Sequence, residues 1–154
     1  MTTEPLRIDI ADEEGMRVPA AKLAAAEHAG IIFLRGDLGA GKSTLARAYL
    51  QSRGFKGRVK SPTYTLIETY ELPDGDVHHL DLYRLSDPEE LEFIGIRDLF
   101  QRDSLIMIEW PEKAHELLPE ADLDILIQAN EPGRTLIFQS HTDIGQGFIK
   151  ALSE

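Results

Sequence analysis

A phosphate-binding loop of the pattern G-x-x-x-x-G-K-[ST] lies at Gly36-Asp37-Leu38-Gly39-Ala40-Gly41-Lys42-Ser43, with Thr44 following it. Glycines in this pattern allow backbone conformations with positive φ and leave space for N–H groups to point at phosphate oxygens. In such a loop Lys42 reaches the β- and γ-phosphates, and the Ser43 hydroxyl takes one Mg²⁺ position. The helix that begins here directs its positive end at the anion. The stretch therefore predicts a site for a nucleotide with Mg²⁺.

The residues on either side of the loop supply the strand and the helix that this motif requires. Ile31-Ile32-Phe33-Leu34 is a short apolar run typical of a buried parallel strand. After the loop we predict a helix from about 42 to 52, whose apolar face consists of Leu45, Ala46, Ala48, Tyr49 and Leu50. The alternative is a glycine-rich turn that binds nothing, and the matching context disfavours it.

The composition is typical of a soluble globular domain. The chain has 154 residues, of which 42% are hydrophobic and 28% are charged, and this predicts a single domain over 1–154. No apolar run approaches the ~20 residues of a membrane span, and no signal peptide is visible. The lack of cysteine excludes disulfides and thiolate metal sites. We therefore expect a cytoplasmic protein with no membrane partner.

The net charge of −11 makes this chain a poor candidate for binding nucleic acid unaided, because phosphate contacts dominate that affinity. One basic segment, with Arg53, Lys56, Arg58 and Lys60, follows the helix after the loop. We interpret it as a solvated loop. A contact with phosphate or with a partner is the alternative.

The rest of the chain predicts a mixed α/β fold. Alternation, apolar runs and turn residues predict strands at 6–10, 31–35, 64–72, 77–83, 105–108, 123–128 and 135–139. A turn is predicted at 12–15, and helices at 16–29, at 86–99 in two pieces split by Gly95, at 112–118 and at 144–152. The pattern predicts a three-layer P-loop NTPase fold with a mixed, mostly parallel central sheet.

The apolar residues of the two less regular helices give predicted packing faces. For the helix at 16–29 the inward residues are predicted to be Val18, Ala21, Leu23, Ala24 and Ala25. For the split helix they are predicted to be Leu91, Phe93, Ile94, Ile96 and Leu99.

Phosphoryl transfer needs Mg²⁺ and usually an acidic residue at a strand end near the loop. Glu109 ends the apolar run at 105–108, and Asp81 lies near the end of the strand at 77–83. Either carboxylate can be a metal ligand, a ligand through water, or the group that orients the attacking water. The alternative for each is an ordinary solvated strand-end acid.

A threonine, a tryptophan and a pair of histidines lie near these acids in the sequence. Thr63 lies in a loop fixed by Pro62, from which a hydroxyl can reach the γ-phosphate or Mg²⁺ as switch loops do. Trp110 follows Glu109 and is otherwise a packed or interface aromatic. The histidines at 78 and 79 precede Asp81, but no second cluster supports a zinc site, so we interpret them as satisfied or exposed.

With these residues in place, the chain closely resembles the TsaE family, formerly called YjeE. These are small bacterial P-loop ATPases needed to make the threonylcarbamoyladenosine modification of tRNA. The resemblance covers 36 to about 120. It is carried by 36–44, by Ser61-Pro62-Thr63-Tyr64-Thr65, by His79-Leu80-Asp81-Leu82-Tyr83-Arg84-Leu85, by Glu90-Leu91-Glu92 with Gly95-Ile96, and by Ile108-Glu109-Trp110-Pro111-Glu112-Lys113.

The resemblance implies roles for the matching residues. Lys42 would contact the phosphates and Ser43 would bind Mg²⁺, within a nucleotide-binding loop that spans 36–44. Glu109 is similar to the family's Mg²⁺-side carboxylate, and Asp81 to its other essential acid. Thr63 resembles a switch residue.

Two more positions follow from the resemblance, together with the partners. Trp110 would sit beside the nucleotide, and the loop around 12–15 would approach the adenine. The family acts on a complex of the TsaB and TsaD proteins, and it binds and hydrolyses ATP to support turnover of that complex. The resemblance thus implies Mg²⁺ as cofactor, ATP as substrate and tRNA contact only through the complex. Arg84 serves either partner contact or transition-state charge, and without a clear arginine finger we expect slow hydrolysis in the absence of partners.

Two rival functions share the loop. A small-molecule kinase needs an acceptor pocket and usually a mobile lid bearing arginines. The one arginine in residues 111–154 is Arg134, so this part of the chain does not supply such a lid, which weakens that alternative. The second rival is a binding module without enzymatic function, in which ATP changes the affinity for a partner.

Overall fold

The computed structural model describes residues 4–154, which form seven strands and five α-helices. The strands are β1 Leu6–Ile10, β2 Gly30–Arg35, β3 Ile67–Tyr70, β4 Val77–Asp81, β5 Leu105–Glu109, β6 Leu123–Asn130 and β7 Gly133–Ser140. The helices are α1 Arg17–Ala25, α2 Lys42–Ser52, α3 Glu89–Phe93, α4 Ile96–Phe100 and α5 Asp143–Leu152. Two 3₁₀ segments, Glu13–Met16 and Pro111–Leu117, precede α1 and follow β5. No helix in this part of the chain is both long and apolar enough to cross a membrane.

All seven strands join one sheet in the order β1-β7-β6-β2-β5-β4-β3. The four central strands, β6, β2, β5 and β4, run parallel to one another. Antiparallel pairs lie at the two edges, where β7 pairs with β6 and β1, and β3 pairs with β4. The mixed, mostly parallel central sheet that the sequence predicts is therefore confirmed.

Helices cover both faces of the sheet, as a three-layer fold requires. On one face the core includes Leu23 of α1, Leu45 of α2 and Phe148 of α5. On the other face it includes Leu91 of α3 and Ile96 of α4. The predicted three-layer fold is thus confirmed, and α2 lies on the first face.

The parallel register places three strand ends at one edge of the sheet. Leu34 of β2 lies opposite Glu109 of β5, and Asp81 of β4 lies opposite Glu109 on the other side. The phosphate-binding loop leaves the same end of β2. In open α/β sheets ligands bind outside the carboxyl ends of the strands, so this edge is where a site is expected.

The prediction for the helix at 16–29 is wrong in length and in phase. Helix α1 ends at Ala25, where the backbone of Ala26 leaves the helical region and the His28 ring contacts the carbonyl of Ala24. The 3₁₀ segment before it buries Met16 and thereby sets the phase. The inward residues are Met16, Pro19, Ala20, Leu23 and Ala24, so Leu23 and Ala24 are confirmed, whereas Val18 is 60% exposed and Ala21 and Ala25 also face solvent.

The predicted strands at 64–72 and 77–83 are both too long. The chain before β3 folds into a turn in which the Leu66 amide donates to the Pro62 carbonyl at 2.8 Å, and Leu66 has a φ of 73°. Strand β4 ends at Asp81, whose side chain accepts from the Tyr83 amide at 3.0 Å. An Asp side chain that takes a local backbone N–H competes with the ladder of the sheet, which explains why the strand stops there.

The predicted split at Gly95 is confirmed, because Gly95 has a φ of 74° between α3 and α4. The break turns Leu91, Ile96 and Leu99 inward. It also leaves Phe93 89% exposed and Ile94 39% exposed, so the inward prediction for these two is wrong.

The basic segment after α2 is solvated only in part. Lys56, Arg58 and Lys60 are exposed, as the sequence predicts, but the Arg53 side chain is 1% exposed. Arg53 donates to the Tyr49 hydroxyl at 2.7 Å, to Asp74 at 2.9 Å and to the Gly75 carbonyl at 3.1 Å. The guanidinium therefore joins the end of α2 to the turn before β4.

We expect Arg53→Met to lower the free energy of unfolding by about 2–3 kcal/mol, because it leaves the Tyr49 hydroxyl and the Gly75 carbonyl without this donor and breaks a partly buried ion pair. Urea denaturation measures the effect. The matched control is Lys56→Met on the same segment, which we expect to stay within about 0.5 kcal/mol of wild type. Equal effects for the two variants would show that Arg53 does not tie these elements together.

Candidate functional site

The loop between β2 and α2 has the backbone that its glycines predict. Gly36, Gly39 and Gly41 have φ values of 148°, 80° and 118°, a region that favours glycine. A Cβ on Gly36 would lie 2.5 Å from the carbonyl oxygen of Ile127. Helix α2 begins at Lys42, and Gly41 at its N-cap provides no side-chain hydrogen bond. The first amides of the helix are thus open to an anion.

Lys42 is buried in this loop, with 5% of its surface exposed. Its ammonium donates to the carbonyls of Gly36 and of Asp37, the latter at 3.3 Å, and lies 4.2 Å from the centroid of the Trp110 ring. Burial lowers the pKa of Lys42, and the carboxylates of Glu109 and Asp81 oppose that shift. A polyphosphate in this place would supply a counterion to the buried ammonium.

The two acids predicted from the strand ends lie on neighbouring parallel strands, directly opposite each other in register. Asp81 is 6% exposed and Glu109 is 2% exposed. Burial raises the pKa of Asp81, and the nearby Glu109 carboxylate adds to that rise. Two buried carboxylates side by side disfavour each other's charge, and a bound cation relieves this.

The raised pKa of Asp81 means that its ionised carboxylate destabilises the folded state. We therefore expect Asp81→Asn to be more stable than wild type at neutral pH. The native state binds this proton more tightly than the unfolded state, so the cost appears as pH rises above about 3.9 and is complete once the folded pKa is passed. We expect a gain of about 1 kcal/mol, or roughly 2–4 °C in Tm, at pH 7 and little gain at pH 4.

Thermal unfolding of Asp81→Asn at the two pH values tests this, with the exposed Asp103→Asn as control. A loss of stability at pH 7, or an equal gain at both pH values, would contradict the assigned burial cost.

Thr63 meets the acids from the loop before β3. Its hydroxyl donates to Asp81 at 3.3 Å and shares a 2.8 Å hydrogen bond with the Ser61 hydroxyl. The Asp81 amide in turn donates to the carbonyl of Leu66, at the end of the same turn. Thr63, the predicted switch residue, is therefore hydrogen-bonded to Asp81, one of the two acids predicted to lie at the metal.

Trp110 follows Glu109 in a left-handed conformation, with φ 57° and ψ 48°. Such conformations are uncommon for a bulky residue and cluster at functional sites. The Trp110 ring lies 5.0 Å from the Tyr83 ring, so it is held between Tyr83 and the Lys42 ammonium. The sequence patterns predict a role for Trp110 but none for Tyr83.

One cleft brings most of the predicted residues together. It is lined by Leu38, Gly39, Gly41, Lys42, Ser43, Thr44, Thr63, Asp81, Glu109 and Trp110, with Glu13 and Tyr83 in addition. The predicted loop residues Gly36, Asp37 and Ala40 do not line this cleft. They lie on the other side of the loop, where together with Leu38 they face the end of β6.

Two buried residues that support the cleft were not predicted to have roles there. His79 Nε2 and Glu109 Oε2 share a hydrogen bond of 2.6 Å, which we interpret with the carboxylate oxygen as the acceptor. Arg134 of β7 donates to the Ala40 carbonyl at 2.8 Å and to Glu13 at 3.2 Å. The position of His79 two residues before Asp81, and therefore on the same face of β4, is the one sequence feature that could have indicated it.

The donor set suits a hard divalent cation. Ser43, Asp81 and Glu109 offer a hydroxyl and two carboxylates, and Mg²⁺ prefers oxygen ligands. Over residues 4–154 no group of three or more His, Asp or Glu side chains forms a complete metal cage. Mg²⁺ commonly binds through one or two carboxylates, substrate phosphates and water, so these residues fit it as part of a nucleotide site.

Comparison with known proteins places the chain in a family. A family model described as "Threonylcarbamoyl adenosine biosynthesis protein TsaE" matches residues 10–136. The chain is 50% identical over 127 residues to the tRNA threonylcarbamoyladenosine biosynthesis protein TsaE of Haemophilus influenzae, covering 82% of this chain and 80% of that protein. It is 32% identical over 127 residues to the Bacillus subtilis TsaE protein, covering 82% of this chain and 79% of the relative.

Comparison with a solved structure supports the same fold. The crystal structure of Bacillus subtilis YdiB superposes with a TM-score of 0.82 at 26% identity, over 99% of this chain and 96% of that one. The matched residues 10–136 include the phosphate-binding loop, both strand-end acids and Thr63. The chain therefore belongs to the TsaE family of tRNA threonylcarbamoyladenosine biosynthesis proteins.

Proposed function

We propose that this protein binds ATP with Mg²⁺ and hydrolyses it in support of threonylcarbamoyladenosine synthesis on tRNA. The observation that carries the proposal is the single cleft that joins the loop residues Lys42 and Ser43 to the buried acids Asp81 and Glu109. A cation on one side and paired carboxylates on the other are what a metal–polyphosphate substrate needs.

The loop would hold the phosphates. The open amides at the start of α2 and the positive end of that helix favour an anion, and Lys42 supplies the charge. On binding, the Lys42 ammonium would exchange its contacts with the carbonyls of Gly36 and Asp37 for phosphate oxygens. These carbonyls hold the side chain in the cleft beforehand, which limits the entropy cost of binding.

Ser43, Asp81 and Glu109 would hold Mg²⁺, whose positive charge offsets the negative charge on the phosphates during transfer. Of the two acids, one would also orient the attacking water. Thr63 would act as the switch residue, because its bond to Asp81 connects the loop before β3 to the metal side of the cleft. Trp110 would lie beside the nucleotide.

Slow hydrolysis in the absence of partners follows from the cleft lining. Among the residues that line it in the described part of the chain, Lys42 is the one cationic side chain and no arginine contributes. Arginine fingers accelerate phosphoryl transfer by about 10³–10⁵ where they are present. We propose that the TsaB–TsaD complex is the cytoplasmic partner that stimulates turnover, and that tRNA is contacted only through it, which suits a net charge of −11.

Two measurements test the proposal. Calorimetric titration with a non-hydrolysable ATP analogue, with and without Mg²⁺, should show one site. Phosphate release from Mg·ATP without any added acceptor should be slow but measurable. Binding without release, and release of ADP only when an acceptor is supplied, would instead favour the small-molecule kinase. Absence of nucleotide binding would remove the proposal entirely.

A further inference from the structure

The contact between His79 and Glu109 is the most buried polar pair beside the cleft. The side chains are 2% and 3% exposed, and the Nε2–Oε2 distance is 2.6 Å. His79 belongs to β4 and Glu109 to β5, so the bond crosses two parallel strands. The hydrogen bond is short, both side chains are buried, and both residues belong to strands of the central sheet.

The other ring nitrogen of His79 shows that packing alone does not explain this residue. Nδ1 is buried and has no hydrogen-bond partner within residues 4–154. A buried polar atom without a partner costs stability, whereas an apolar side chain of similar size at the same place would not. The bond from Nε2 to Glu109 is the interaction that offsets this cost.

The bond also makes the two oxygens of Glu109 inequivalent. Oε2 already accepts from His79, so Oε1 has more acceptor capacity left for a cation or a water in the cleft that Glu109 lines. A donor on one oxygen fixes the rotation of the carboxylate, and hydrogen bonds of this kind orient ligands at metal sites. Asp81 differs, because both of its oxygens accept from groups at the cleft edge, Thr63 and the Tyr83 amide.

We propose that His79 is a positioning residue, which holds the Glu109 carboxylate in the orientation in which it binds Mg²⁺. The inference rests on the proposed function, because it concerns how the proposed metal-side acid is held. It assigns no contact between His79 and substrate. We expect that loss of the Nε2 donor weakens the enhancement of nucleotide binding by Mg²⁺ more than it weakens nucleotide binding in the absence of Mg²⁺.

His78 provides a matched control on the adjacent position. It is as buried as His79, it makes one hydrogen bond, with Thr69 at 2.9 Å, and its other nitrogen also lacks a partner in the described chain. Successive side chains of a strand point to opposite faces, so His78 points away from the acids. Its replacement should therefore disturb packing to a similar degree without touching Glu109.

The experiment compares His79→Leu, His79→Gln, His79→Asn and His78→Leu with wild type. A non-hydrolysable ATP analogue is titrated by calorimetry in EDTA and at a series of Mg²⁺ concentrations. We expect His79→Leu to raise the Mg²⁺ concentration needed for half-maximal enhancement of binding by about 10-fold or more. Affinity in EDTA should stay within about 2-fold, since the phosphate-binding loop is unchanged.

The amide variants separate positioning from bulk. The glutamine side chain places an N–H donor near the position of Nε2, whereas asparagine is too short to reach Glu109. We expect His79→Gln to recover most of the Mg²⁺ response and His79→Asn to behave like His79→Leu. If His79→Leu does not fold, the comparison of glutamine with asparagine carries the test.

The following results would overturn the inference. One is an equal Mg²⁺ response in the His79 variants and in His78→Leu, and another is equal responses of the glutamine and asparagine variants. A wild-type protein that binds the analogue with no Mg²⁺ dependence would overturn it together with the metal part of the proposed function. Normal Mg²⁺-dependent binding in wild type with unaffected His79 variants would overturn the inference alone.

Discussion

Lys42→Ala is expected to lower the affinity for ATP by about 10²-fold or more, because a buried charge facing phosphate is worth roughly 3 kcal/mol when it is truncated. Lys42 is 5% exposed and is held in the cleft by the carbonyls of Gly36 and Asp37. No other cationic side chain among the described cleft-lining residues can replace it. Calorimetric titration with a non-hydrolysable ATP analogue and Mg²⁺ measures the loss.

The control for this change is Lys22→Ala, which removes a lysine of α1 that contacts the carbonyl of Glu154 and does not line the cleft. Its affinity should stay within about 2-fold of wild type. Circular dichroism verifies that both variants fold. An affinity of Lys42→Ala within a few-fold of wild type would mean that the loop does not hold the phosphates.

Glu109→Gln is expected to lower the rate of ATP hydrolysis by about 10²–10⁴-fold, the range for loss of a positioned acid or base. Glutamine has nearly the same shape and keeps an oxygen that can accept from His79, so the fold should be retained. What is lost is the negative charge opposite Asp81. Single-turnover phosphate release measures the chemical step, and binding of the analogue in EDTA should change by about 3-fold at most.

Glu112→Gln is the matched control, three residues further along the chain. Glu112 is exposed and pairs with Arg35 at 3.4 Å, and it does not line the cleft. It should hydrolyse ATP at about the wild-type rate. Equal rates for Glu109→Gln and Glu112→Gln would remove Glu109 from the chemistry and leave Asp81 as the acid to test.

Local sequence patterns were enough to predict the central part of the fold. The phosphate-binding loop is specified by glycines whose positive φ values the structure shows, and the flanking strand and helix follow from apolar patterns. Asp81 and Glu109 were predicted to lie near the loop because each was placed at or near the end of a strand. Their direct opposition depends on the register of β4 against β5, which no single segment contains.

Contacts between distant segments could not be predicted in this way. Arg134 donates a hydrogen bond to the carbonyl of Ala40, which is 94 positions away in the sequence. His79 and Glu109, which share a hydrogen bond, are 30 positions apart. Both contacts arise from the order and register of the strands. The sequence analysis interprets His79 as a satisfied or exposed histidine, because its partner Glu109 becomes identifiable only when β4 is paired with β5.

Errors in the peripheral helices have a different cause, which is phase. Alanine-rich α1 has apolar residues on every side, so its inward face was decided by Met16 in the preceding 3₁₀ segment and not by its own pattern. Helix α3 is a single turn, too short for a periodic pattern to be informative. Its Phe93 was predicted inward from hydrophobicity alone and is 89% exposed.

We propose that the cleft between Lys42 and the acids Asp81 and Glu109 is where Mg·ATP is hydrolysed. The most direct test is phosphate release from Mg·ATP by this protein alone and with purified TsaB–TsaD complex, for wild type and for Glu109→Ala. We expect weak phosphate release by the protein alone, a clear rise with the complex, and loss of both in the variant. Release that the complex does not change, or that Glu109→Ala retains in full, would contradict it.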